Sequence, residues 1–205
     1  MLELITWVAI CFVSGSLPWA VLVSRFLVHG DVRSVGDGNP GVANTWKLGG
    51  WVPGTISLIL EVAKSLIPIY FATLYLGQPS STTSEISLAL VAIAPITGHA
   101  WSPFLKLKGG KALAATWGSW IALTGGMAFP IGCVLLGLIH GFQKNHAVTV
   151  TLCLFLFLPI FLLPEIRLHI IVLWFMNLAI VISKHKSEYS NGLILRRWVL
   201  AITRG

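Results

Sequence analysis

Long apolar runs recur along this chain, and they limit what it can fold into more than any other feature. Charged residues rarely interrupt them. The runs cover residues 4–28, 51–76, 86–105, 112–142, 147–163 and 168–183. A helix needs about 20 apolar residues to cross a bilayer, and most of these runs reach or approach that length. The pattern therefore predicts an all-α integral membrane protein.

The composition excludes the main alternatives. Of the 205 residues, 56% are hydrophobic and only 10% are charged, whereas soluble domains carry about 25% charged residues. A soluble chain of this length could not bury so much apolar surface, which excludes a soluble enzyme and a disordered chain. The three cysteines lie inside apolar runs without metal-ligand spacing. We therefore expect neither a disulfide scaffold nor a metal site.

The distribution of basic residues predicts the number of spans. Run 112–142 fits either one tilted helix or two helices broken at Gly125-Gly126. With two helices, 12 of the 14 Lys and Arg residues, including Arg204, fall on one side, as cytoplasmic loops require. With one helix, the basic tail and the loop at 106–111 face opposite sides. The prediction is a seven-transmembrane-helix bundle, N-terminus outside and C-terminus cytoplasmic, with residues 1–205 forming a single membrane domain.

The net charge of +7 indicates this topology or an anion site, and nucleic acid is not expected as a partner. The first inner loop contains Gly36-Asp37-Gly38-Asn39-Pro40-Gly41. Asn39 and Pro40 resemble a helix N-cap followed by proline at the first helical position. The glycines would let backbone N–H groups converge on an anion. A plain glycine-rich turn between helices is the competing interpretation.

Two further segments on the predicted inner face carry cations. The loop Lys108-Gly109-Gly110-Lys111 precedes a helix and resembles a phosphate cradle, although lysines that only anchor the topology explain it about equally well. His185 lies between two lysines, which would disfavour its proton and make it a neutral acceptor or general base. A polar anchor at the membrane surface is the alternative interpretation for this histidine. Together the three segments indicate an inner-face site for a small phosphorylated or acidic substrate.

Charged and polar residues also occur inside the apolar runs. Glu61 and Lys64 are three residues apart in the second run, which places them on one helical face. Charges inside a membrane are costly and usually paired. A structural pair and a direct contact with substrate are both open interpretations, and the same choice applies to His99.

These residues together resemble a known family, the bacterial acyl-phosphate:glycerol-3-phosphate acyltransferases of the PlsY type. The resemblance covers nearly the whole chain in order, spacing and length. It rests on segments 15–18, 31–33, 36–44, 61–64, 98–103, 108–111 and 184–186. The family implies a seven-helix membrane enzyme of the bacterial inner membrane and of phospholipid biosynthesis. Such enzymes transfer a fatty acyl group from acyl phosphate to the 1-hydroxyl of glycerol 3-phosphate, giving lysophosphatidate, without a cofactor.

The resemblance also implies roles for single residues. Lys108 or Lys111 would balance the oxyanion and the leaving phosphate. The family has no obvious protein base, so the substrate phosphate would take the proton, and in this chain Asp37 or His185 is the alternative. The remaining predicted residues bind substrate: Gly38, Asn39, Gly41, Asn44, Lys47, His99, Gly109, Gly110 and Lys111. The expected partners are acyl phosphate, glycerol 3-phosphate and membrane lipids, with other membrane proteins as further candidates.

The chain departs from the family pattern at several polar positions. Asp37 replaces a serine, Ala43 a threonine, Lys47 an arginine, Val148 a serine and Glu188 an asparagine. Two of these changes add negative charge where a phosphate should bind. A catalytically inactive paralogue, acting as a lipid-binding or structural subunit of a larger membrane complex, is therefore the alternative to an enzyme. An anion transporter ranks last, because the polar groups lie in loops rather than at the bundle midplane.

Overall fold

The computed structural model of the protein describes residues 1–163 and 165–202, and helices dominate this part of the chain. Arg204, which was counted in the basic tail, lies outside the described residues. The α-helices are α1 (Leu2–Ser16), α2 (Trp19–Leu27), α3 (Val42–Gly49), α4 (Trp51–Leu76), α5 (Thr82–Ala100), α6 (Leu113–Leu123), α7 (Ala128–Phe142), α8 (His146–Leu162), α9 (Leu168–Lys184) and α10 (Arg197–Ile202). No β-strand occurs within the described ranges, and the all-α prediction is confirmed.

Three segments are long and apolar enough to cross a bilayer: Leu2–Leu27, Trp51–Leu76 and Thr82–Leu105. The apolar helices α6 to α9 are shorter. Run 112–142 is two helices, because α6 ends at Leu123 and α7 begins at Ala128. Gly125 and Gly126 lie between them with φ of 57° and 93°, a backbone region that glycine adopts without steric cost. The predicted break is confirmed, and the count of seven spans stays a prediction.

The first span is not one continuous helix. Pro18 lacks a backbone N–H, and α1 ends at Ser16 while α2 begins at Trp19. The break leaves the carbonyl of Leu17 and the N–H of Ala20 available to side chains of a neighbouring helix. Lys64 Nζ on α4 donates to Leu17 O at 2.8 Å. Glu61 Oε1 accepts from Ala20 N, in the first turn of α2, at 3.0 Å.

Close helix packing sets the position of α1 against α5. A Cβ on Gly15 would lie 2.2 Å from Pro95 O, and one on Gly98 would lie 2.3 Å from Phe12 O. Both distances are too short for a Cβ atom, so a larger residue at either position would collide with the other helix. The two helices therefore cross in contact at these glycines. Small residues at helix crossings are the usual means of close approach within membranes. This packing brings the C-terminal end of α5, where His99 lies, next to the break in the first span.

The predicted N-cap at Asn39 and Pro40 is wrong by two residues. Helix α3 begins at Val42, and its N-cap is Gly41 with extended backbone at φ −134° and ψ 172°. Asn39 N donates to Asp37 Oδ1 at 3.2 Å, and Gly41 N donates to Asn39 O at 2.8 Å. An aspartate side chain that binds the backbone two residues later forms a turn which competes with helix formation. This turn delays the start of α3.

Candidate active site

One lysine lies between two carboxylates at one end of the bundle. Lys111, just before α6, makes ion pairs with Asp37 in the loop before α3 and with Glu188 beyond the end of α9. These three residues form what we call the Lys111 cluster. The side chain of Lys111 is 24% exposed, that of Glu188 23% and that of Asp37 47%, so the cluster is half-buried and accessible to a ligand. Segments far apart in sequence meet here, as predicted for Lys111 and the first loop.

Asp37 is held on the side opposite Lys111 by Asn44. The buried Asn44 side chain on α3 donates from Nδ2 to Asp37 Oδ1 at 2.8 Å and to Asn39 O at 3.0 Å. Burial opposes ionisation of Asp37, but the hydrogen bonds from Lys111, Asn44 and Asn39 outweigh it and lower its pKa to about 2. Asp37 is therefore a fixed anion at neutral pH, and three predicted site residues are joined around it.

Lys111 is correspondingly a fixed cation. Burial alone would lower its pKa, but the hydrogen bonds to Asp37 and Glu188 raise the pKa above its ordinary value. The sequence raised the question of which cation neutralises the two extra carboxylates. The structure shows that Lys111 neutralises both.

His185 lies beside this cluster and is almost completely buried, with 1% of its surface exposed. Its Nδ1–H donates to Val181 O at 2.9 Å, which leaves Nε2 as the acceptor atom. Nε2 is buried without a hydrogen-bond partner among the residues described. Burial lowers the pKa of His185, and the nearby charges of Glu188, Lys111 and Asp37 act on the same ring. The geometry fits a neutral acceptor, with burial rather than the flanking lysines as the main cause.

The glycine-rich loop uses several of its own N–H groups internally. Gly38 N donates to Val35 O at 3.1 Å, in addition to the bonds from Asn39 N and Gly41 N. The convergence of these N–H groups on an anion, as the sequence predicted, therefore has no support at these three positions. Gly36 has a φ of +62°, and a Cβ on it would lie 2.9 Å from Lys47 Nζ and 2.3 Å from Asn44 Oδ1. Glycine at 36 thus lets Lys47 approach the loop.

The glycine pair of the second loop is explained by packing. Gly110 N donates to His99 O at 3.1 Å. A Cβ on Gly110 would lie 2.3 Å from His99 Nε2, and one on Gly109 would lie 2.0 Å from His99 O. The loop therefore lies directly on the end of α5 and delivers Lys111 to the cluster. Lys108 is exposed, and no ion pair of its side chain occurs in residues 1–163 and 165–202.

His99 belongs to a buried charged group formed with Glu61 and Lys64. Glu61 Oε2 lies 2.7 Å from Lys64 Nζ and 3.0 Å from His99 Nδ1, and Lys64 Nζ lies 2.8 Å from His99 Nδ1. All three residues are buried. The Glu61–Lys64 pair predicted from the sequence is confirmed, and its contacts are structural. It supports the break in α1–α2 and, through His99, the loop at 109–110.

Sequence reasoning missed Asn145, the N-cap of α8. Its Oδ1 accepts from Ala147 N at 3.0 Å, and its Nδ2 donates to Glu188 O at 3.0 Å and to Gly192 O at 2.8 Å. The buried amide thus fixes the backbone that carries Glu188. An asparagine directly before an apolar run is an N-cap signal, so the cap was detectable. Its contact with Glu188, 43 residues away, was not.

The fold and this cluster define a class of protein: a helical membrane protein with a polar site, centred on a lysine, where its helix ends and loops meet. The chain matches the family model for glycerol-3-phosphate acyltransferase over residues 5–193. It is 31% identical to glycerol-3-phosphate acyltransferase 1 of Thermotoga maritima over 212 residues, covering 95% of this chain and 97% of that protein. It is 33% identical to the Neisseria meningitidis enzyme of the same name, covering 91% and 92%.

The chain belongs to the glycerol-3-phosphate acyltransferase family. The resemblance stated from the sequence is therefore confirmed, and the protein is an enzyme of the acyltransferase class and a multi-pass membrane protein. The fold is similar to that of PlsY (YgiH), an integral membrane glycerol 3-phosphate acyltransferase solved in a glycerol 3-phosphate form. That comparison has a TM-score of 0.80, covers 98% of this chain and 99% of PlsY, and has 19% sequence identity.

Proposed function

We propose that this protein transfers a fatty acyl group from acyl phosphate to the 1-hydroxyl of glycerol 3-phosphate at the Lys111 cluster. The observation that carries the proposal is the fixed cation Lys111 beside the buried, unpartnered Nε2 of His185. Almost the entire chain is similar to proteins named glycerol-3-phosphate acyltransferase, and this similarity supports the same reaction. Among solved structures with this fold, PlsY was captured in glycerol 3-phosphate and lysophosphatidic acid forms.

In the proposed reaction the 1-hydroxyl oxygen attacks the acyl carbonyl carbon and the carbon–oxygen bond to phosphate breaks. Inorganic phosphate leaves, and lysophosphatidate is the second product. Lys111, with Lys47 beside the first loop, stabilises the developing oxyanion and the leaving phosphate. His185 Nε2 or the carboxylate of Asp37 accepts the hydroxyl proton, since both are unprotonated at neutral pH. No cofactor takes part.

The remaining predicted binding residues have supporting roles in this proposal. Asn44 orients Asp37, and Gly38, Asn39 and Gly41 shape the turn that leads into α3. Gly109 and Gly110 hold the second loop against His99. The first N–H groups of a helix lack partners within it, so the start of α3 adds donors for a phosphate.

The direct test uses purified protein in detergent, supplied with acyl phosphate and glycerol 3-phosphate. We expect phosphate release that depends on glycerol 3-phosphate, together with lysophosphatidate detected by mass spectrometry. Release without the acceptor measures spontaneous hydrolysis and is subtracted. Absence of lysophosphatidate with several acyl donors, from folded protein, would contradict the proposed activity and favour the inactive paralogue in a membrane complex.

The acyl chain is proposed to lie in an apolar cavity of about 80 Å³ between α6, α7 and α8. Its lining begins at Leu113, two residues from Lys111, and continues inward along α6 to Trp120. Across from α6, Val150, Cys153 and Phe157 of α8 complete it. The cavity thus starts beside the cluster and extends along the bundle for about 10 Å, given a rise of about 1.5 Å per helical residue.

We expect Cys153→Trp to fill this cavity and shift the preference toward shorter donors. Misplacing a reacting group by about 1 Å can cost about 10²-fold in rate. We therefore expect kcat/KM to fall about 10- to 100-fold for a long-chain acyl phosphate and little for a short one. The matched control is Leu152→Trp, at the neighbouring position, which is exposed on the outside of the helix. An unchanged chain-length profile in an active Cys153→Trp enzyme would place the acyl chain elsewhere.

The predicted topology is part of the proposal: seven spans in a single membrane domain, the N-terminus outside, and the Lys111 cluster at the cytoplasmic face of the bacterial inner membrane. Cysteine placed at Ser34, which is exposed in the first inner loop, in a background without the native cysteines, tests it. An impermeant thiol reagent added to intact cells should leave position 34 unlabelled, and should label it after permeabilisation. Labelling in intact cells would reverse the orientation.

A further inference from the structure

The charges around Lys111 balance, which is unusual for a site that binds a phosphate. Lys111 is neutralised by Asp37 and Glu188 together. Lys47 faces the same loop from α3, where its Nζ lies against Gly36. These four side chains carry two positive and two negative charges and sum to zero. His185 adds no charge at neutral pH, because burial lowers its pKa from the ordinary value.

A neutral site discriminates between ionic forms of a ligand. A dianion that enters must leave water while Lys111 is already paired with two carboxylates, which leaves Lys47 as the second cation of the four. The cost of removing an unmatched charge from water rises with that charge. While Asp37 and Glu188 remain paired with Lys111, a phosphate that binds Lys111 must lie close to both carboxylates. The form with the smaller charge is therefore favoured.

We propose that Asp37 and Glu188 determine which ionic form of the substrate binds, and that the site takes the monoanion of glycerol 3-phosphate in preference to the dianion. The inference rests on the proposed function and adds a specificity to it. The two carboxylates thereby act as specificity-determining residues of the phosphate subsite.

The consequence is an affinity that improves as the pH falls. The second pKa of a phosphate monoester is about 6, so the monoanion increases from about 1% of the ligand at pH 8 to about half at pH 6. If only the monoanion binds, the Kd for total glycerol 3-phosphate falls about 50-fold over this interval. Asp37, with a pKa of about 2, stays ionised and Lys111, with a raised pKa, stays protonated throughout this interval, and burial lowers the pKa of His185, which favours its neutral form. The exposed Lys108 and Lys186 are lysines of the same end of the bundle.

The test measures ligand binding by titration calorimetry on the full-length protein in detergent, at pH 6 and pH 8, independently of turnover. The probes are glycerol 3-phosphate and glycerol 3-sulfate, since the sulfate ester is a monoanion at both pH values. For the unmodified protein we expect the Kd of glycerol 3-phosphate to be at least tenfold lower at pH 6. The Kd of glycerol 3-sulfate should stay the same within about twofold.

The variant is the double substitution Asp37→Asn and Glu188→Gln, which keeps side-chain shape and removes both negative charges. We expect it to bind glycerol 3-phosphate at least tenfold more tightly at pH 8 and to lose the preference for pH 6. Asp31→Asn is the matched control, because Asp31 is a loop carboxylate paired with Arg33 outside the cluster. It should keep the pH dependence of the unmodified protein.

The outcomes separate this inference from the proposed function. Binding with the expected pH dependence but without acyl transfer would keep the inference and reject the activity. Acyl transfer with a Kd that is flat between pH 6 and 8, or equally pH-dependent in the double variant, would overturn the inference alone. Failure of folded protein to bind either probe at millimolar concentration would overturn both.

Discussion

Replacing Lys111 with glutamine is expected to lower kcat/KM for acyl transfer by about 10²- to 10³-fold, the usual effect of removing a group that stabilises the developing oxyanion. The variant loses the cation that neutralises Asp37 and Glu188. Both carboxylates then face the substrate phosphate without a counter-charge, so ground-state binding suffers as well. Phosphate release at saturating and limiting glycerol 3-phosphate measures the two effects separately.

Lys106→Gln is the matched control for this prediction. Lys106 is an exposed lysine of the same loop, five residues earlier, and is outside the cluster. Its replacement should change kcat/KM by less than about twofold, because surface charges far from a ligand are largely screened. Equal losses in both variants would show that the loop attracts substrate only by its overall charge, and a fully active Lys111→Gln enzyme would remove Lys111 from the mechanism.

The fold was predictable because hydrophobic periodicity in a membrane protein is long and unambiguous. The apolar runs located α4, α8 and α9 to within a residue or two at nearly every end. The break at Gly125-Gly126 followed from residue type and from the distribution of basic residues. The break at Leu17–Pro18 was missed, because proline does occur inside helices here, at Pro68 in α4 and Pro95 in α5. At this break, Lys64 binds the carbonyl of Leu17 and Glu61 binds the N–H of Ala20, contacts that the sequence does not show.

The candidate site was predictable in its residues but not in its contacts. Asp37 and Glu188 stood out as misplaced negative charge, yet nothing in their spacing shows that one lysine pairs with both. The glycine pair at 109–110 looked like a phosphate cradle because the sequence does not show how closely that loop packs on His99. Short-range turn chemistry also outweighed the expected N-cap, since Asp37 binds the backbone of Asn39 before α3 can begin.

The buried group of Glu61, Lys64 and His99 carries the second large expected effect. Glu61→Gln should destabilise the protein by about 3–5 kcal/mol, the cost of breaking a buried ion pair from one side. Glutamine keeps an oxygen for Ala20 N but leaves Lys64, 5% exposed, without its counter-charge. Thermal unfolding in detergent measures the change, and a shift of about 10 °C is expected for a chain of this size.

A second variant separates charge from packing. Glu61→Gln combined with Lys64→Met leaves no unpaired charge, so it should recover part of the lost stability, as neutral replacements of buried ion pairs commonly do. Recovery should be incomplete, because Lys64 Nζ also binds Leu17 O at the break between α1 and α2. Glu3→Gln, an exposed position near the N-terminus, should leave the unfolding temperature unchanged. Two results would contradict this prediction: an unfolding temperature of Glu61→Gln equal to that of the unmodified protein, or a double variant less stable than the single one. Either would show that the Glu61–Lys64 pair does not stabilise the break between α1 and α2. The end of α5, and with it the loop that carries Lys111, would then depend on glycine packing and on hydrogen bonds such as those from Lys184 Nζ to Ala100 O and from Gly110 N to His99 O.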